Sequence, residues 1–95
     1  MQLKRTPEFK AWLDALRDIV GRARIQARIE RLAGGNPGDH RNLEGGVSEL
    51  RINAGPGYRV YYTQRGNELI LLLVGGDKAS QQRDIRTAQE MVRHL

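Results

Sequence analysis

Apolar residues run without interruption from Leu69 to Val74, between the charged Glu68 and the pair Gly75-Gly76. A run of six, bounded by Arg65-Gly66-Asn67 and Gly75-Gly76-Asp77, is short for a helix and predicts a strand buried on both faces. Leu69, Leu71 and Leu73 would then point one way and Ile70, Leu72 and Val74 the other, so both faces of the sheet need cover. Two further stretches alternate. In Val47 to Asn53, Leu50 and Ile52 share one face and Glu49 and Arg51 the other. In Tyr58 to Thr63, Tyr58, Val60 and Tyr62 oppose Arg59, Tyr61 and Thr63. Short turns at Gly55-Pro-Gly57 and Gln64 to Asn67 join these runs into an antiparallel meander.

The remaining apolar spacing is helical. Thr6-Pro7 reads as an N-cap followed by proline at the first helical position, after a short edge strand over Gln2 to Arg5. Phe9, Trp12, Leu13 and Leu16 fall at i, i+3, i+4 and i+7, a core-facing stripe that leaves Lys10, Asp14 and Arg17 outside. The phase breaks at Asp18 to Gly21. A second helix follows with Ile25, Ile29 and Leu32 inward and Gly34-Gly35 as its stop, giving a helix hairpin. Gly35 to Asp39 is a loop, and His40 to Glu44 is too short and polar to assign. After Gly75-Gly-Asp-Lys78 a last helix, capped by Asp77 or Ser80, turns Ile85, Ala88, Met91, Val92 and Leu95 to one side. The expected fold is α+β: a small, mainly antiparallel sheet packed by an N-terminal helix hairpin and a C-terminal helix.

With 95 residues the chain is expected to form one domain, residues 1–95. The absence of cysteine excludes disulfides and thiolate metal sites and fits a reducing compartment. His40 and His94 are the only histidines and stand far apart in the chain, so no zinc site is expected. No apolar run is long enough for a membrane helix, and a cytoplasmic protein is the expectation.

Charge adds a direction. Sixteen Lys and Arg against eleven Asp and Glu give +5, and residues 1–35 hold eight basic and four acidic residues whereas residues 36–78 hold five of each. Such a surplus favours a polyanionic partner: RNA, DNA or an acidic protein segment. Arg24, Arg28 and Arg31 recur at i, i+4 and i+7 about a quarter turn from the apolar stripe. They read as a solvated ridge with stems over the core edge, or as a contact for phosphates or an acidic partner. On the sheet, Arg51, Arg59 and Tyr61 would emerge together on the face opposite the apolar one. Two guanidinium groups and a phenol on adjacent strands could recognise phosphate, or could be an ordinary polar face. Gly75-Gly76 lacks the glycine-rich approach of a nucleotide loop, so Lys78 is a loop cation and not a Walker lysine.

Glu49-Leu-Arg-Ile52, Gly55-Pro-Gly-Tyr-Arg-Val-Tyr61 and Leu73-Val-Gly-Gly-Asp-Lys78, in this order and within this arrangement of strands and helices, resemble the RelE/ParE toxin superfamily. The similarity is greatest to its HigB-like "addiction module killer protein" branch and covers nearly the whole chain. It implies the toxin of a type II toxin–antitoxin module, with a cognate antitoxin as partner. For RelE-like members it also implies cleavage of mRNA in the ribosomal A site, with no metal or other cofactor. By position, Arg51 and Arg59 would bind the scissile phosphate, Lys78 would stand near the family's basic residue after the last strand, and Tyr61 would be a candidate base or stacking group. Arg24, Arg28 and Arg31 would attract the acidic antitoxin. The tyrosine often found near the C-terminal helix of such nucleases has no counterpart after Tyr62, where Gln81, Gln82 and Arg83 stand instead. ParE-like relatives share the fold and inhibit DNA gyrase without cutting nucleic acid, which is the alternative reading.

Overall fold

The computed structural model describes residues 1–95. Strand β1 (Gln2–Arg5) leads into helices α1 (Pro7–Ala15) and α2 (Ile19–Ala33), then strands β2 (His40–Asn42), β3 (Ser48–Ile52), β4 (Tyr58–Arg65) and β5 (Leu69–Asp77), and finally helix α3 (Gln81–Arg93). The fold is α+β. Its five strands lie in the order β1-β5-β4-β3-β2, with β1 parallel to β5 and every other pair antiparallel.

The predicted caps form. Thr6 Oγ1 accepts from the Phe9 amide at 3.0 Å while its hydroxyl donates to the Leu73 carbonyl at 2.6 Å, so one side chain both starts α1 and ties it to β5. The expected break at Asp18 to Gly21 is instead a cap. Asp18 accepts from the Gly21 amide at 2.9 Å, and Gly21 lies inside the first turn of α2. The three residues 40–42, left unassigned by their polarity, pair with β3 as an edge strand.

On one face of the sheet α1 and α2 cover twelve buried residues, among them Phe9, Leu13, Ile25, Ile29, Leu50, Ile52, Val60, Ile70 and Leu72. Trp12 borders this core half-buried, its ring 5.7 Å from Phe9 and 6.2 Å from Tyr58. On the other face α3 covers a smaller cluster of Val47, Tyr61, Leu73, Val74 and Ala88. Val74 therefore departs from the expected alternation. Tyr61 pairs with Val74 but Tyr62 pairs with Leu72, so Leu73 is an extra residue in β5. This bulge places Leu73 and Val74 on the same side.

The bulge also sets the two glycines that follow. A Cβ on Gly75 would stand 2.2 Å from the Trp12 ring, and one on Gly76 would stand 1.9 Å from Asp84 Oδ2. Each face thus receives its helix across a position that only glycine leaves open. Leu95, expected on the apolar side of α3, is exposed.

Candidate functional site

The Gly55-Pro-Gly57 turn fixes what stands beyond the α3-covered part of the sheet. Arg51 on β3 and Arg59 on β4 are direct cross-strand partners, and alternation turns both away from the main core. Gly57, at φ +82°, has room for a Cβ only at 3.4 Å from Lys78 Cβ and 3.5 Å from Arg59 Nη1. The turn after β3 and the turn after β5 therefore close on each other. Between them is a cleft of about 560 Å³ lined by Asp39, Arg51, Asn53, Gly57, Arg59 and Lys78, with Ile52 as its one hydrophobic residue.

The cleft brings together Arg51, Arg59 and Lys78 from separate elements. Its one carboxylate is Asp39, whose Oδ1 accepts from Arg51 Nη2 at 3.0 Å in a partly exposed pair. Arg59 Nη1 donates to the carbonyls of Gly57 and Tyr58 at 3.0 and 3.1 Å. Both guanidinium groups keep a buried Nε–H without a partner. Lys78 is exposed. An anion entering here meets donors whose present partners are weak or incomplete, in a geometry suited to the fork of arginine and the point charge of lysine.

Tyr61 does not join this cleft. It is fully buried under α3, its hydroxyl without a hydrogen-bond partner, and burial together with the nearby Glu49 charge pushes its pKa well up. The expectation of a phenol beside the arginines fails because α3 reaches along the sheet as far as the Glu49–Tyr61 pair. Glu49, which alternation places on the polar face with Arg51, is fully buried. Arg41 reaches its Oε1 at 3.2 Å from β2, and Gln81 Nε2 donates to its Oε2 at 2.9 Å from α3. A buried carboxylate with two partners is a polar peg joining edge strand, sheet and last helix.

The arginine ridge of α2 divides in two. Arg28 is a structural pin, donating to the carbonyls of Arg51 at 2.5 Å, Pro37 at 2.9 Å and Asp39 at 2.8 Å. Burial and the charge of Arg31 lower its pKa. It holds the loop that carries Asp39 against the end of β3. Arg24 and Arg31 are exposed. All three line a second hollow of about 340 Å³ with Ala27, Ile52 and Asn53. Sequence spacing places the ridge but carries no sign that its middle member is committed to backbone carbonyls.

No group of three or more His, Cys, Asp or Glu side chains is arranged to hold a metal ion, and no helix is long and apolar enough to cross a membrane. Residues 11–93 match the family described as "Phage derived protein Gp49-like (DUF891)". The chain is also 43% identical over 95 residues to an "Uncharacterized protein" of Haemophilus influenzae (strain ATCC 51907 / DSM 11121 / KW20 / Rd), an alignment spanning all of this chain and 96% of that one.

Proposed function

Since the chain belongs to the Gp49-like phage-derived protein family, part of the addiction-module killer and RelE-like toxin group associated with toxin–antitoxin modules, we propose that it is a HigB-like toxin that cleaves mRNA on the ribosome and is neutralised by a cognate antitoxin. The observation that carries this reading is the convergence of Arg51, Arg59 and Lys78 on one cleft. In the reaction, a ribose 2′-oxygen attacks the adjacent phosphorus as its proton passes to water, the O2′–P bond forms and the P–O5′ bond breaks. The products are a 2′,3′-cyclic phosphate and a 5′-hydroxyl. Arg51 and Arg59 would bind the non-bridging oxygens, where charge builds in the transition state. Lys78 would stabilise the departing 5′-oxygen or give it a proton. Asp39 is the one carboxylate in the cleft and would have to release Arg51 as phosphate enters.

A cognate antitoxin with an acidic segment would be drawn to the α2 ridge at Arg24 and Arg31, with Arg28 adding charge from behind. The non-nuclease reading, gyrase inhibition, is favoured by one feature: the cleft has neither histidine nor tyrosine among its lining residues.

Induction followed by mapping of mRNA 5′ ends within minutes separates the two. The nuclease reading expects new 5′-hydroxyl ends inside reading frames, abolished by Arg59→Ala at a stability cost of about 0.5 kcal/mol. Growth arrest without such ends, with loss of gyrase supercoiling activity, would overturn it.

A further inference from the structure

The cleft and the α2 hollow are neighbours with a common wall. Ile52 and Asn53 line both. Arg28 stands at the same wall, lining the hollow while its guanidinium donates to the Arg51 and Asp39 carbonyls behind the cleft. On the far side of the wall Arg24 and Arg31 are exposed. Neither is in an ion pair, and Arg24 makes one long hydrogen bond, 3.4 Å, to the Asn53 carbonyl. The hollow contains no acidic residue. Its polar atoms are cationic donors and an amide, and its remaining surface is Ala27 and Ile52.

We infer that the two depressions form one binding track for single-stranded RNA: the cleft takes one phosphate and the α2 hollow takes the adjoining nucleotide of the same strand. This rests on the nuclease reading above and assigns a second subsite within it. The chemistry fits a nucleotide unit better than a free anion. Arg24 and Arg31 supply the phosphate charge, the exposed Asn53 amide can bond a base edge, and the exposed Ala27 methyl group can lie against a ribose or base face. Volumes of about 560 and 340 Å³ lie within the range of small-ligand sites, about 300–1,000 Å³. Arg28, whose two terminal nitrogens donate to backbone carbonyls, braces the wall between subsites. An acidic antitoxin on the ridge would then compete with RNA for the second subsite.

The test uses 2′-O-methyl oligonucleotides of two, four and six nucleotides, which bind but cannot be cut, titrated into the full chain and followed by amide shifts in NMR spectra. The expected result is that the dinucleotide perturbs the surroundings of Arg51, Arg59 and Lys78. The longer strands should also perturb Arg24, Ala27 and Arg31, which line the hollow alone, and bind more tightly. The double substitution Arg24→Ala, Arg31→Ala, with an unchanged melting temperature, should remove the gain with length and leave the dinucleotide alone. It should also reduce the slope of log affinity against log salt for the hexamer by about 0.7, for the one phosphate that the missing arginines no longer neutralise. Equal weakening of all three lengths would mean that the ridge supplies only a general field and would overturn the second subsite. So would a gain with length that survives the double substitution. If no length perturbs any amide, the track is refuted, while 5′-end mapping still decides the nuclease reading by itself.

Discussion

The two faces of the sheet use alternate residues of the same strands and are closed by different physics. Tyr58, Val60 and Tyr62 of β4 sink into the twelve-residue cluster beneath α1 and α2, which is apolar almost throughout. Arg59, Tyr61 and Thr63 face the other way, where α3 covers one stretch and leaves the next open. The covered stretch needs Arg41 and Gln81 to meet Glu49 because the carboxylate there has lost water. The open stretch leaves two arginines short of partners. Stability is therefore concentrated on one face and binding chemistry on the other, with a polar network at the boundary.

Substitutions on the two faces should differ in size and in kind. The largest loss is expected from Phe9→Ala, which empties the middle of the large cluster, where Phe9 is fully buried. It should cost about 3–5 kcal/mol in urea unfolding. A loss below about 1 kcal/mol would mean that this face is not the main store of stability. Next comes Gly75→Ala. With Trp12 only 2.2 Å from the added methyl group, the helix must move or the indole must turn, at a cost of about 1–3 kcal/mol. Trp12 fluorescence reports which of these happens, and an unchanged spectrum with unchanged stability would refute the close approach.

Crossing to the other face, Gln81→Ala removes one of the two partners of buried Glu49 and should cost about 1 kcal/mol, since water can reach part of the half-buried site. The smallest effect is expected from Tyr61→Phe. The hydroxyl it deletes has no partner, so stability at neutral pH should change by less than about 1 kcal/mol. The difference should appear in alkali. The folded phenol titrates above its ordinary value of 10.0, so it holds its proton longer folded than unfolded. Its contribution is complete below pH 10 and is lost as pH rises toward the folded value. Tyr61→Phe should flatten that part of the stability curve and leave toxicity intact. Loss of toxicity at full stability would put the phenol back into the chemistry.

The same contrast explains which parts of the molecule were legible in the chain. Alternation in residues 47–53 and 58–63 identifies a core face and a polar face, and two strands joined by Gly55-Pro-Gly57 bring Arg51 opposite Arg59. Gly75-Gly-Asp77, which reads as a turn, instead continues β5 beside β4 and delivers Lys78 at its end. The bulge at Leu73 was hidden because an unbroken apolar run has no period from which a slip could be read. The burial of Tyr61 and Glu49 is not legible because the stripe on α3 says that the helix packs on the sheet but not how far along it lies. Arg28 was misjudged because its partners are carbonyls, which every residue has. Such partners leave no trace in side-chain pattern.

The parallel pairing of β1 with β5 bears on how the chain acquires its shape during synthesis. Thr6 hydrogen-bonds to Leu73 across 67 residues, so the amino-terminal edge strand has nothing to pair with until β5 has been made. The meander of β3, β4 and β5 can assemble from neighbours in the chain, whereas β1 must close the longest loop in the molecule and gains its ladder only then. Until it does, β5 presents an unpaired edge beside a strongly apolar strand, open to any other extended segment. The nascent chain thus passes through an interval in which its sheet can accept a foreign strand, and the speed of that closure sets how long the interval lasts.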